Sequence, residues 1–203
     1  MDLFTRLLLP AVEPVDPSVL RTGDLVLFSS DRRWTRMFLR FTHVGMVVMR
    51  RHGPPAILEI HQKGDVSPTR DTGKVVMYDF WDRVLQYPGR VYVAPLRVMA
   101  SRPLLFPLNR YKYYDQYASH YMKKCVLGIR PCEKPSDDFV YCSEFICILL
   151  RDGMGLPFPK DLDPECLTPA GLLDLGFHDR PRVVLKTWKT RSNGPNKPGC
   201  SGT

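Results

Sequence analysis

Five short apolar segments crowd the first half of this chain, each bounded by turn residues, and they leave room for little but a sheet. Thr22-Gly23-Asp24 reads as a turn feeding the run Leu25 to Phe28. Val44, Met46 and Val48 alternate with His43, Gly45 and Val47, so a strand starting near Thr42 carries His43 at its very beginning. After Gly53-Pro54-Pro55, Ala56 to Ile60 forms a third strand, and a period of two puts Glu59 and His61 on one face. Lys74 to Tyr78 and Arg90 to Leu96 are β-branched and aromatic enough for two more, separated by the Trp81-to-Tyr87 segment and a Pro88-Gly89 turn. Together these segments complete an antiparallel-looking sheet of about five strands.

The helical signals follow. From Leu108 onward, Tyr111, Asp115, Ala118, Met122 and Cys125 recur at three- and four-residue steps, with Gly128 placed to end the helix. Residues 129–138 are rich in proline and charge and read as a loop, after which Cys142 to Leu150 forms a buried helix closed by Gly153. Thr168 as N-cap and Pro169 at the first helical position predict a short helix to about Leu175, and Val183 to Lys186 adds a last strand. Residues 29–40 carry Trp34, Met37 and Phe38 at helical spacing and form a short helix or a structured loop. Pro10, Pro14 and Pro17 make residues 10–19 extended, so residues 1–20 are a lead-in, 21–189 the folded domain and 190–203 a tail without apolar periodicity.

Composition narrows the function classes. A chain of 203 residues fits one domain with one core, and 44% hydrophobic with 25% charged residues is ordinary globular usage. The apolar run at Leu7-Leu8-Leu9 is far shorter than the roughly 20 residues of a membrane-spanning helix. A net charge of +8, clustered at Arg32-Arg33, Arg50-Arg51 and Lys123-Lys124, favours an anionic surface, membrane lipid or nucleic acid, as a partner, or is a solvated basic surface. Six cysteines without a C-x-x-C pair and without a secretory signal before them read as reduced thiols in an intracellular, cytoplasmic setting.

A cysteine attacks only as thiolate, which a helix N-terminus and a neighbouring imidazolium both favour. Cys142 at a helix start and His43 at a strand start are the candidates for nucleophile and base. Backbone N–H groups at Cys142-Ser143-Glu144 offer an oxyanion site, and Glu144 suits a first helical turn electrostatically. A third group is needed on the far side of the imidazole to fix its tautomer. Glu59 is preferred because a carboxylate stabilises the charged ring better than a second imidazole does, with His61 the alternative.

The segments Thr22-Gly23-Asp24-Leu25-Val26-Leu27-Phe28, Thr42-His43-Val44-Gly45-Met46-Val47-Val48 and Tyr141-Cys142-Ser143-Glu144-Phe145 resemble the permuted, papain-like NlpC-type superfamily, with its GD, HVG and CSE pattern. Gly128 and Leu167-Thr168-Pro169-Ala170-Gly171-Leu172-Leu173 extend the resemblance over roughly residues 21–185. It implies an α+β fold in the circularly permuted, papain-like order, histidine before cysteine, with helices that include the nucleophile helix packed on a small antiparallel sheet. It also implies hydrolysis or transfer of an acyl group at an amide, isopeptide or ester bond through a thioester, on a peptide or acyl-lipid substrate, without cofactor or metal. Relatives so implied include bacterial amidases, lecithin:retinol acyltransferase-like enzymes and proteins of large DNA viruses, which adds the virion as a location. The acyltransferase branch tolerates a second histidine at the third position, which keeps His61 open.

Two other classes compete. The fold can serve a non-catalytic structural or binding protein, such as a virion component using its basic surface. Alternatively His43, Glu59, His61 and Cys142, all acceptable zinc ligands, can form a metal site. Cys147 and Cys125 read as core thiols, Cys132, Cys166 and Cys200 as incidental, and His52, His120 and His178 as having no role in the site.

Overall fold

The structure, a computed structural model, describes residues 16–30, 40–60, 74–104, 110–113 and 137–184. Among these, one antiparallel sheet of six strands runs in the order β4-β3-β2-β1-β5-β8. The strands are β1 (Leu25–Ser29), β2 (His43–Val48), β3 (Ala56–Ile60), β4 (Val75–Asp79), β5 (Arg90–Ala94) and β8 (Arg182–Val183). The five expected strands are the first five of these, and the expected final one is the short edge strand β8.

Alternation sorts the apolar side chains onto two faces. Leu25, Leu27, Val44, Met46, Leu58 and Ile60 join one cluster with Phe145, Ile146 and Leu149, while Val26, Phe28, Val47, Ile57, Val91 and Val93 join another with Phe80 and Val84. The first face is covered by α2 (Cys142–Ile148), which packs on β2 and β3. The second is covered by α1 (Phe80–Gln86), which starts directly from β4 because the Asp79 carboxylate accepts from the N–H groups of Trp81 (3.0 Å) and Asp82 (3.3 Å). Helices therefore cover both faces, which is why β1 is buried along its whole length rather than in alternate positions.

The Gly23-Asp24 turn fastens this sheet at the end away from His43. Gly23 has φ +101°, open to glycine with little strain, and its N–H donates to the Val47 carbonyl at 3.0 Å. The buried Asp24 carboxylate accepts from Arg21 N–H and Leu96 N–H, both at 2.8 Å, tying the chain before β1 to the end of β5.

Several local expectations are corrected. Pro17–Val19 is a 3-10 turn rather than extended, started by Asp16, whose side chain accepts from Ser18 N–H at 2.9 Å. Lys112–Tyr113, placed by periodicity inside a helix, is strand β6, paired in parallel with β7 (Phe139–Val140). The remainder of that expected helix, Gly128 and the 31–39 stretch lie outside the described residues. Thr168 does accept from a backbone N–H, that of Gly171 at 3.0 Å, but only Gly171–Asp174 (α3) is helical. Helix α2 continues into a π-helical turn, Leu149–Gly153, so the helical run ends at Gly153 as expected but with wider winding. Cys166 is disulfide-bonded rather than a reduced thiol, whereas Cys142 and Cys147 are free. No described helix is long and apolar enough to cross a membrane.

Candidate active site

The site forms where β2 begins. Thr42 fastens this point, its N–H and its hydroxyl both donating to the Phe28 carbonyl, at 2.8 and 3.2 Å. His43 is paired with Phe28 across the ladder and its ring lies 5.3 Å from the Phe28 ring, on the α1 face of the sheet. Being the first residue of β2, it also reaches the N-terminus of α2 from the opposite face, and it is hydrogen-bonded to Cys142.

Glu59, in the middle of β3, is fully buried and meets His43 Nε2 through Oε2 at 2.7 Å. With Nε2 engaged by the carboxylate, Nδ1 is the nitrogen left for the sulfur. Glycine in the HVG segment leaves room beside this carboxylate: a side chain at Gly45 would crowd Ile57 Cγ2, the Leu58 carbonyl and Glu59 Cβ.

Electrostatics reinforce the chain of contacts. Burial by itself pushes the His43 imidazole down, but the charge and hydrogen bond of Cys142, then the hydrogen bond and charge of Glu59, carry it up to about 10. The negative charges beside it therefore favour the protonated ring. Cys147, one turn and a half along the same helix, has its thiol pushed up to about 12 by burial.

The neighbours of Cys142 have structural attachments. The Ser143 hydroxyl donates to the Leu167 carbonyl at 2.6 Å, and Glu144 Oε2 accepts from the Tyr141 N–H at 3.3 Å, closing the first turn of α2. Their side chains hold the helix in place, and only the backbone N–H groups of that turn remain to fill the expected oxyanion role. His61 lies outside the described residues. No group of three or more His, Cys, Asp or Glu side chains is placed to hold a metal among the described residues, and both Glu59 oxygens already carry donors.

Arg83 went unnoticed in the sequence. Its Nε donates to Glu59 Oε1 at 2.5 Å and its Nη2 to Oε2 at 3.4 Å. The signal was present in the N-cap Asp79 followed by Phe80, Arg83 and Val84 at helical spacing, which puts the arginine on the buried stripe of α1. His178, expected to have no role, is buried at the far end of β1 with Nε2–H donating to the Gly23 carbonyl at 3.0 Å. Comparison with protein-family models, curated proteins and solved structures finds no match to this chain.

Proposed function

We propose that the chain is a papain-like thiol hydrolase or acyltransferase of circularly permuted order, with Cys142 as nucleophile, His43 as acid and base, and Glu59 as the group that orients the imidazole. The observation that carries this reading is the continuous line Cys142–His43–Glu59, assembled from a helix start, a strand start and a strand interior. A sheet bearing the histidine before the helix bearing the cysteine supports the permuted reading.

In the first half-reaction the Cys142 thiolate attacks the acyl carbon, and the first-turn backbone N–H groups of α2 stabilise the oxyanion. His43 then gives its Nδ1 proton to the departing amine or alcohol, leaving a thioester on Cys142 and a neutral imidazole. In the second, His43 takes a proton from water or from an acceptor alcohol or amine, whose oxygen or nitrogen attacks the thioester and releases the thiolate. Glu59 accepts from Nε2–H throughout, which fixes the tautomer. The substrates are amide, isopeptide or ester acyl groups of peptides or lipids, and the basic surface brings the enzyme to anionic assemblies.

Iodoacetamide near neutral pH should modify Cys142 well before Cys147, and Cys142→Ala, His43→Ala and the double variant should reduce turnover of an amide or ester panel to one common floor. Native protein in which Cys142 is as slow as Cys147 would remove the enzyme reading and leave a structural or binding protein of this fold.

A further inference from the structure

We infer that Arg83 is a positioning residue of this site, supplying the second positive charge that lets the Glu59 carboxylate and the Cys142 thiolate stand on either side of His43. The inference rests on the reading of Cys142 as a thiolate nucleophile. Glu59 is 0% exposed and Arg83 7%, so neither charge is screened by bulk water. The line Cys142–His43–Glu59 contains two anions and one cation when the thiolate forms. A buried excess of one negative charge is relieved most easily by proton uptake on the sulfur or on the carboxylate, and either event removes the nucleophile or the orienting group. Arg83 brings the total to zero.

Its geometry is specific as well as its charge. Nε on Oε1 and Nη2 on Oε2 hold the carboxylate by both oxygens and turn Oε2 toward His43 Nε2. The guanidinium itself is clamped among rings, 4.8 Å from the centre of Phe28 and 5.6 Å from those of Tyr78 and Tyr87. Phe28 also packs on the His43 ring, so one aromatic side chain braces both cations flanking Glu59. Arg83 is thus aimed from α1 on one face of the sheet, Cys142 from α2 on the other, with His43 and Glu59 between them.

The test follows Cys142 alkylation by iodoacetamide from about pH 5 to about pH 10, read by peptide mass spectrometry, and needs no substrate. Arg83→Gln should slow alkylation at about pH 6 by about tenfold and move the acid limb up by about one pH unit. Arg83→Lys keeps the charge without the fork and should lose only about threefold. In a Glu59→Gln background the anion that Arg83 neutralises is gone, so adding Arg83→Gln should cost nothing further. An Arg83→Gln profile that overlays the wild type, or an equal loss in both backgrounds, would overturn the assignment and leave Arg83 as packing only. Should Arg83→Gln fail to fold, Arg83→Lys decides instead: a loss of about threefold that vanishes beside Glu59→Gln supports the assignment, and a profile that overlays the wild type overturns it. An ordinary-thiol profile in the wild type would instead sink the enzyme reading, whereas an activated wild-type thiol indifferent to Arg83 would sink this inference alone.

Discussion

Gly45 allows the geometry around His43 to be challenged without touching a reacting group. Its φ is not positive, so no left-handed backbone demands glycine there. A Cβ would instead lie 2.7 Å from Ile57 Cγ2, 3.1 Å from the Leu58 carbonyl oxygen and 3.2 Å from Glu59 Cβ. Favourable carbon separations are about 3.5–4.0 Å, and Ile57 is fully buried with no solvent to move into. Two effects oppose each other in Gly45→Ala. Removing glycine from a strand interior stabilises by roughly 0.5–1 kcal/mol through the unfolded chain, while overpacking a filled site costs about 1–3 kcal/mol. The steric term is the larger, leaving a net loss on the order of 1 kcal/mol, or roughly 2–4 °C in Tm for a chain of this size. The neighbour that must yield besides Ile57 is Glu59, so the 2.7 Å bond to His43 should lengthen and Cys142 alkylation should slow severalfold. Urea unfolding and iodoacetamide kinetics on the folded variant measure the two effects separately. An alanine variant at least as stable as the glycine protein would show that strand entropy wins and that close approach is not what places glycine beside Glu59.

Two further outcomes are expected. Asp24→Ala removes the buried carboxylate that the part-buried N–H groups of Arg21 and Leu96 both donate to and should cost about 1–3 kcal/mol by urea titration, with a loss under about 0.5 kcal/mol counting against the fastening role of the Gly23-Asp24 turn. His43 has its folded value raised from 6.5 to about 10, so the stability drawn from its pairing is fully present below about 6.5 and disappears as pH rises through about 10. The stability gap between wild type and His43→Ala should therefore narrow across that window, and a gap that widened would contradict the charged pairing.

How the sequence relates to the structure differs between strands and site. The strands were legible because a period of two with turn residues at each end is a local pattern, and β3 runs over the residues that pattern marked, Ala56–Ile60. The same pattern put His43 at the start of β2, and the apolar run after Tyr141 put Cys142 at the start of a helix. Lys112–Tyr113 was misread because its pairing with Phe139–Val140 is a contact between distant segments, and tertiary pairing overrides local helical spacing. The third group shows the same boundary. Alternation alone sets Glu59 and His61 on one side of a strand and goes no further, while the 2.7 Å contact of Glu59 with His43 depends on the register of β2 against β3.

What the sequence determined by itself was what repetition along the chain can encode: which segments extend, which coil, and which ends carry a histidine and a cysteine. What only the tertiary structure decided was charge and company. Arg83 is an ordinary basic residue in α1 until the turn from β4 lays that helix over β3 and closes the guanidinium onto Glu59. Ser143 reads as a helix-start polar residue until the chain brings the Leu167 carbonyl within 2.6 Å, and Asp24 as a turn residue until the chain brings the Leu96 N–H within 2.8 Å. The physical reason is common to all three: burial makes an unpaired polar or charged group costly, and the partner that satisfies it comes from across the fold, where no local periodicity can announce it.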